Sequence, residues 1–168
     1  MTVTPAGMFS YPLFGLGELI ADCSAFQSWV SADDKGAAWS NVHYIANDDS
    51  DLTGAEALAT RPFAIVGFSE ETEARRETEP PTYDHSGTLE LIFEAEVSGD
   101  TESDIFLNFT NAVGAIMAEI ETKTGRGGHL LVTKYSLFFG PARPSSKART
   151  NGELDIIAMG FLVEWAEL

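Results

Sequence analysis

Residues 154–167 read LDIIAMGFLVEWAE, a run rich in β-branched and aromatic residues that predicts a β-strand. One residue follows it, so the chain is expected to finish in its own core. A second strand is expected over residues 130–139. The two are expected to pair as a hairpin whose tip, residues 140–153, is oversized and polar. The chain thus puts its unusual length into a loop and not into a catalytic pocket. That points to an assembly component and not an enzyme.

Upstream, Thr88 to Val97 carries the clearest alternation in the chain. Leu89, Leu91, Phe93, Ala95 and Val97 fall on one face, and Thr88, Glu90, Glu94 and Glu96 on the other. Residues 61–68, RPFAIVGF, predict a strand apolar on both faces and therefore covered, with Pro62 tolerated only at its start or on an edge. Val42 and Tyr44 alternating with His43 and Ile45 suggest a short, half-buried strand within residues 39–46.

Two helices are expected. The first begins at Pro12, with Leu13, Leu16, Ile20, Cys23, Phe26, Gln27 and Val30 on one side, and stops at Asp33, Asp34 and Gly36. The second follows the capping run of residues 98–104 and buries Ile105, Phe109, Ala112, Val113, Ile116, Met117 and Ile120, with Gly125 ending it. Leu107 falls off that stripe. The fold class is α+β: a mainly antiparallel sheet of four to five strands, two helices on one face, and long loops between strands. Residues 1–11 form a flexible N-terminal arm and residues 12–168 a single domain.

The chain has 168 residues, 44% of them apolar, enough to build a core without disulfides or metal. The only cysteine, Cys23, reads as a buried small hydrophobe. Gly15, Gly17, Glu18 and Asp22 interrupt the apolar residues near the N-terminus, so neither a signal peptide nor a membrane span is expected. Net charge is −16, and no Lys or Arg occurs between Glu77 and Thr122, where eleven acids stand. Such a surface argues against nucleic-acid binding, which draws on cations set against phosphates.

Chemistry-bearing motifs are scarce. His43, His85 and His129 are scattered and show no metal-ligand spacing. Residues 125–129, GRGGH, lack the Gly-Lys-Ser/Thr ending of a phosphate loop and follow a helix instead of preceding one. No Gly-x-Ser-x-Gly elbow is present, and the sequon at Asn108 lies inside a predicted helix. No cofactor, metal or catalytic residue is expected.

Two loops remain. Residues 69–86 are acidic, with Glu70 and Glu71 ahead of Arg75 and Arg76, and are too long for an idle connection. Residues 140–152 are the one basic stretch, with Arg143, Lys147 and Arg149. A solvated hairpin tip is one reading of the second. The other pairs its cations with the acidic loop of an identical neighbour, making these residues candidate subunit or partner contacts.

This order of elements, with the RPFAIV strand at 61–66, the FEAEV strand end at 93–97 and the VEW strand at 163–165, resembles the tail-terminator proteins of long-tailed bacteriophages, also called minor tail or tail-completion proteins. The resemblance runs over residues 13–168, most closely from Arg61 onward. It implies a non-catalytic virion protein, assembled in the host cytoplasm, that forms a ring of identical subunits, expected to be a hexamer. Such a ring caps the tail tube, stops its polymerisation and joins the tail to the head connector. The implied partners are other copies of the chain, the tube protein and the connector protein, with DNA passing an acidic bore unbound and no membrane involved. The alternatives are another tail or neck component, such as a tube or connector-completion protein, and a small-molecule binding module.

Overall fold

A computed structural model describes residues 4, 6, 10–45, 61–68, 75–79, 82–96, 101–123, 136–139, 145–148 and 155–166. Along the chain these form α1 (Ser10–Ala21), α2 (Ser24–Trp29), α3 (Lys35–Trp39), β1 (Val42–Ile45), β2 (Phe63–Phe68), β3 (Arg75–Glu79), β4 (Thr82–Glu96), α4 (Glu102–Lys123), β5 (Ser136–Phe139), β6 (Ser145–Ala148) and β7 (Asp155–Ala166). The α+β class holds, with two corrections. Four helices, not two, and seven strands, not four to five, are present among the described residues, and the mainly antiparallel sheet includes one parallel pair, β1 with β2. The other strand pairings are antiparallel.

The strands stand in the order β1-β2-β4-β7-β5, with β3 paired to β4 and β6 to β7. Ser86 of β4 faces Arg75 on one side and Ala166 on the other, so β3 continues the column of β2 along the same edge of β4. Residues 69–74 fall between Phe68 and Arg75, whose partners Leu89 and Ser86 have only Gly87 and Thr88 between them. The second hairpin repeats the device. β5 and β6 share one side of β7, and the partners of Phe139 and Ser145, Phe161 and Ala158, have only Met159 and Gly160 between them. In both hairpins the shorter arm is thus divided into two strands along one edge of the long arm.

The acidic stretch 69–86, read as a loop from sequence, is largely a strand pair. Arg75–Glu79 pairs with the first residues of β4, which starts six residues earlier than its apolar alternation indicates. Periodicity is blind here because neither face of this segment has an apolar stripe. The hairpin tip 140–153 likewise contains a strand, β6, paired with residues 155–158 of β7.

The helical layer covers one face of the sheet. Leu89, Leu91, Phe93 and Ala95 of β4 register with Val163, Phe161, Met159 and Ile157 of β7, and all but Met159 are buried. They pack with Leu16 and Ile20 of α1, Phe26 of α2 and Val113, Ile116 and Ile120 of α4. Trp29 links the layers, meeting Phe93 edge-on at 5.8 Å between ring centroids and Phe109 at 6.3 Å. β2 is covered as expected, with Phe63, Ala64, Val66 and Gly67 buried. Most of the predicted stripe of α4 is also buried, while Leu107 is 53% exposed and its neighbour Phe106 44%.

The single N-terminal helix expected from Pro12 is instead two helices. Cys23 adopts extended backbone (φ −75°, ψ 124°) and Ser24 restarts the helix. Asp34, expected to end a helix, begins one. Its Oδ1 accepts from the Ala37 backbone N–H at 2.8 Å and caps α3.

Glycine at 87 is required by the β4–β7 ladder. It registers with Trp165, and a Cβ there would lie 2.9 Å from the indole Nε1. Trp165 is nearly fully buried and cannot swing aside freely. Gly87→Ala is expected to cost about 1–3 kcal/mol, the usual penalty for overpacking a filled site. Urea unfolding measures it, and unchanged stability would refute the contact.

Candidate assembly interface

The histidines do not converge. His43 stands on β1 edge-on to Phe63 at 5.1 Å, and burial lowers its pKa, favouring the neutral ring. His85 sits on β4 opposite Arg76. His129 lies outside the described residues. Among the described residues no group of His, Cys, Asp or Glu could hold a metal ion.

The Cys23 side chain is fully buried and donates from Sγ to the Leu19 carbonyl at 3.2 Å. Burial pushes its thiol up to about 12, and Glu119 adds to the rise. A thiol held protonated is a poor nucleophile, in keeping with a packing role.

Two polar clusters do structural work. On the sheet face opposite the helices, Arg61 ion-pairs with Glu94, its Nε donating to Oε1 at 2.7 Å, and its guanidinium lies 5.3 Å from the Phe63 ring centre. The side chain is 6% exposed, so this pair fastens the start of β2 to the end of β4. The second cluster joins α2 to α4. The Glu119 carboxylate accepts from the backbone N–H groups of Ser24 and Ala25, each at 2.9 Å, and from the Ser24 hydroxyl at 3.2 Å. An acid from α4 thereby caps α2, whose own N-cap residue, Cys23, makes no side-chain cap. Lys123 completes the clamp, 3.1 Å from Glu119 and 3.3 Å from Asp22.

Burial acts to raise the Glu119 pKa, but the Ala25 and Ser24 N–H groups and Lys123 outweigh it and hold the carboxyl at about 2. Burial likewise disfavours charge on Lys123, and hydrogen bonds to Glu119 and Asp22 overcome it, raising its pKa.

The sequence-derived contact residues divide by position. Arg75 and Arg76 lie on β3, opposite Ser86 and His85. Lys147 lies on β6, opposite Ile156. Glu70, Glu71, Arg143 and Arg149 fall outside the described residues. The register separates the two groups widely. Arg76 is level with His85, near one end of β4, and Lys147 is level with Ile156, which pairs with Glu96 at the other end. At a strand rise of about 3.3 Å per residue, the distance from His85 to Glu96 is about 36 Å. β3 and β6 also lie in different columns, with β4 and β7 between them. They occupy diagonally opposite corners of the sheet, so one chain does not pair its own β3 with its own β6.

No protein-family model matches the chain, and no curated protein sequence matches it significantly. No helix among the described residues is long and apolar enough to cross a membrane.

The clamp on α2 gives a pH test. Because the folded-state pKa of Glu119 lies below its ordinary 4.5, its stabilisation is complete above that pH and is lost as pH falls toward 2. Glu119→Gln is expected to cost about 2–3 kcal/mol at neutral pH. The gap between variant and parent should narrow steadily below pH 4.5. Denaturant titrations across that range measure it, and a pH-independent gap would rule out the charged cap.

Proposed function

We infer that the protein is a non-catalytic structural subunit that assembles with copies of itself, acting as a tail terminator: a ring that caps a phage tail tube, stops its growth and meets the head connector. The observation that carries this reading is the diagonal placement of β3 and β6, carrying Arg75, Arg76 and Lys147, at opposite corners of one sheet. A surface whose two contact regions lie at opposite ends of the molecule joins head to tail, and head-to-tail contacts generate rings when the rotation closes.

Charge supports the same reading. The chain carries −16 overall, and its cations between Gly140 and Gly152 have no acid among them. Identical acidic subunits repel except where such a basic patch meets an acidic one. An acidic bore would let DNA pass without holding it, since binding to DNA draws on cations set against phosphates. The ordered strands in both hairpins give these contacts a scaffold on which loops are positioned.

The test is the state of the purified chain with and without tail-tube ends. Rings of constant stoichiometry are expected in electron micrographs, free in solution or seated on tube ends, and tubes polymerised in their presence should stop growing. A chain that remains an 18.2 kDa monomer in solution and leaves tube growth unchanged would contradict the reading.

A further inference from the structure

The buried stripe of α4 faces the sheet, and a second pattern runs along the opposite side of the same helix. Leu107, Asn111, Gly114 and Ala118 are all exposed and recur at spacings of four, three and four. That is the spacing of a helix-pairing seam. At 100° per residue the four positions fall within about 60° of arc. Phe106 flanks them, and with Leu107 it makes up the exposed large apolar side chains among the described residues.

Charge is missing from this side. From Ile105 to Ala118 no residue is charged, in a chain whose net charge is −16. The one hydroxyl in the stretch, Thr110 Oγ1, donates back to the Phe106 carbonyl at 2.8 Å, so it is spent inside the helix.

Gly114 has no purpose within its own chain. At Gly17 and Gly87 an added Cβ would run into Tyr44 and Trp165, so those glycines are required by internal packing. At Gly114 a Cβ would meet nothing within 4 Å. Glycine in a helix interior is unfavourable relative to alanine, and its use there is to admit a close approach. Nothing of this chain makes that approach.

We propose that the seam Leu107, Asn111, Gly114 and Ala118 docks antiparallel on the same seam of a second copy. Three features of the strip commit it to that occupant. Its spacing is symmetric end to end, so reversing one copy sets Leu107 against Ala118 and Asn111 against Gly114, a larger side chain against a small one at each position. Opposed helices also set their dipoles head to tail. Two copies that each carry −16 repel, and an uncharged strip is where they can approach. The contact is two-fold and closes on pairs, so it is independent of the head-to-tail contact proposed for the ring. A strip about 20 Å long is small for an interface, which makes the pairing weak and reversible.

The reversed register also brings Asp104 of each copy level with Glu121 of the other, a like-charge pair at both ends of the seam. Sedimentation of the full-length chain up to several hundred micromolar tests the arrangement. The parent is expected to show a monomer–dimer equilibrium that tightens as salt is raised, because screening relieves the repulsion. Glu121→Lys sets a cation against Asp104 and should tighten the dimer several-fold at low salt. Gly114→Glu fills the crossing point and should weaken it tenfold or more. Since Glu is the better helix former and the site is open, the unfolding midpoint of that variant in dilute solution should be unchanged or raised.

A parent that stays monomeric throughout would overturn the proposal, as would a Gly114→Glu chain that dimerises like the parent. A Glu121→Lys chain with unchanged or weaker association would overturn the antiparallel register. Tube capping by Gly114→Glu is expected to equal the parent's, so failure of the seam is read separately from failure of the ring.

Discussion

The β4–β7 ladder is the constraint on which the rest of the molecule depends. Eleven residues of β4, from Ser86 to Glu96, register without interruption against Ala166 to Ile156. Each of these strands is also the long arm of a hairpin, so this one ladder joins the two hairpins into a sheet. Its alternation puts Leu89, Leu91 and Phe93 with Val163 and Phe161 on a single face, the centre of the apolar surface that the helices cover. A slip of one residue would turn that whole set to the opposite face, so burial specifies the register. The register in turn sets where the polar ends of both hairpins emerge.

The helical layer is held on this face by packing and by one distant electrostatic contact. Glu119 caps α2 across 95 positions of sequence and fixes the angle at which the chain turns after α1. The same carboxylate sits beside Cys23 and helps keep its thiol protonated. Electrostatics between α2 and α4 thus serves orientation.

What could be read from the sequence follows from the range of each interaction. The strand at 88–96 and the stripe of α4 were legible because one buried face imposes a period that survives in the residues themselves. The break between α1 and α2 was not, because its cause is a carboxylate on α4 with no local signal at Ser24. Four residues at 42–45 show alternation but not direction, so the parallel pairing of β1 with β2 was invisible. β3 was missed for the opposite reason: RRETE has no apolar alternation, and its strand geometry comes from pairing across a two-residue gap with β4. The candidate contact residues stand out in the sequence as charge clusters, while the placement of Arg75, Arg76 and Lys147 at opposite corners required the register.

That separation is the core of the functional account, since the proposed ring uses the two charged segments of one chain as the two ends of a repeating contact. Zero-length carbodiimide cross-linking of an equal mixture of light and heavy-isotope chains measures it directly. The account predicts peptides joining Lys147 of β6 to Glu77 or Glu79 of β3 in which the two halves come from different copies, seen as mixed light-heavy pairs. Cross-links between these residues confined to one copy, or their absence from the assembled fraction, would contradict it.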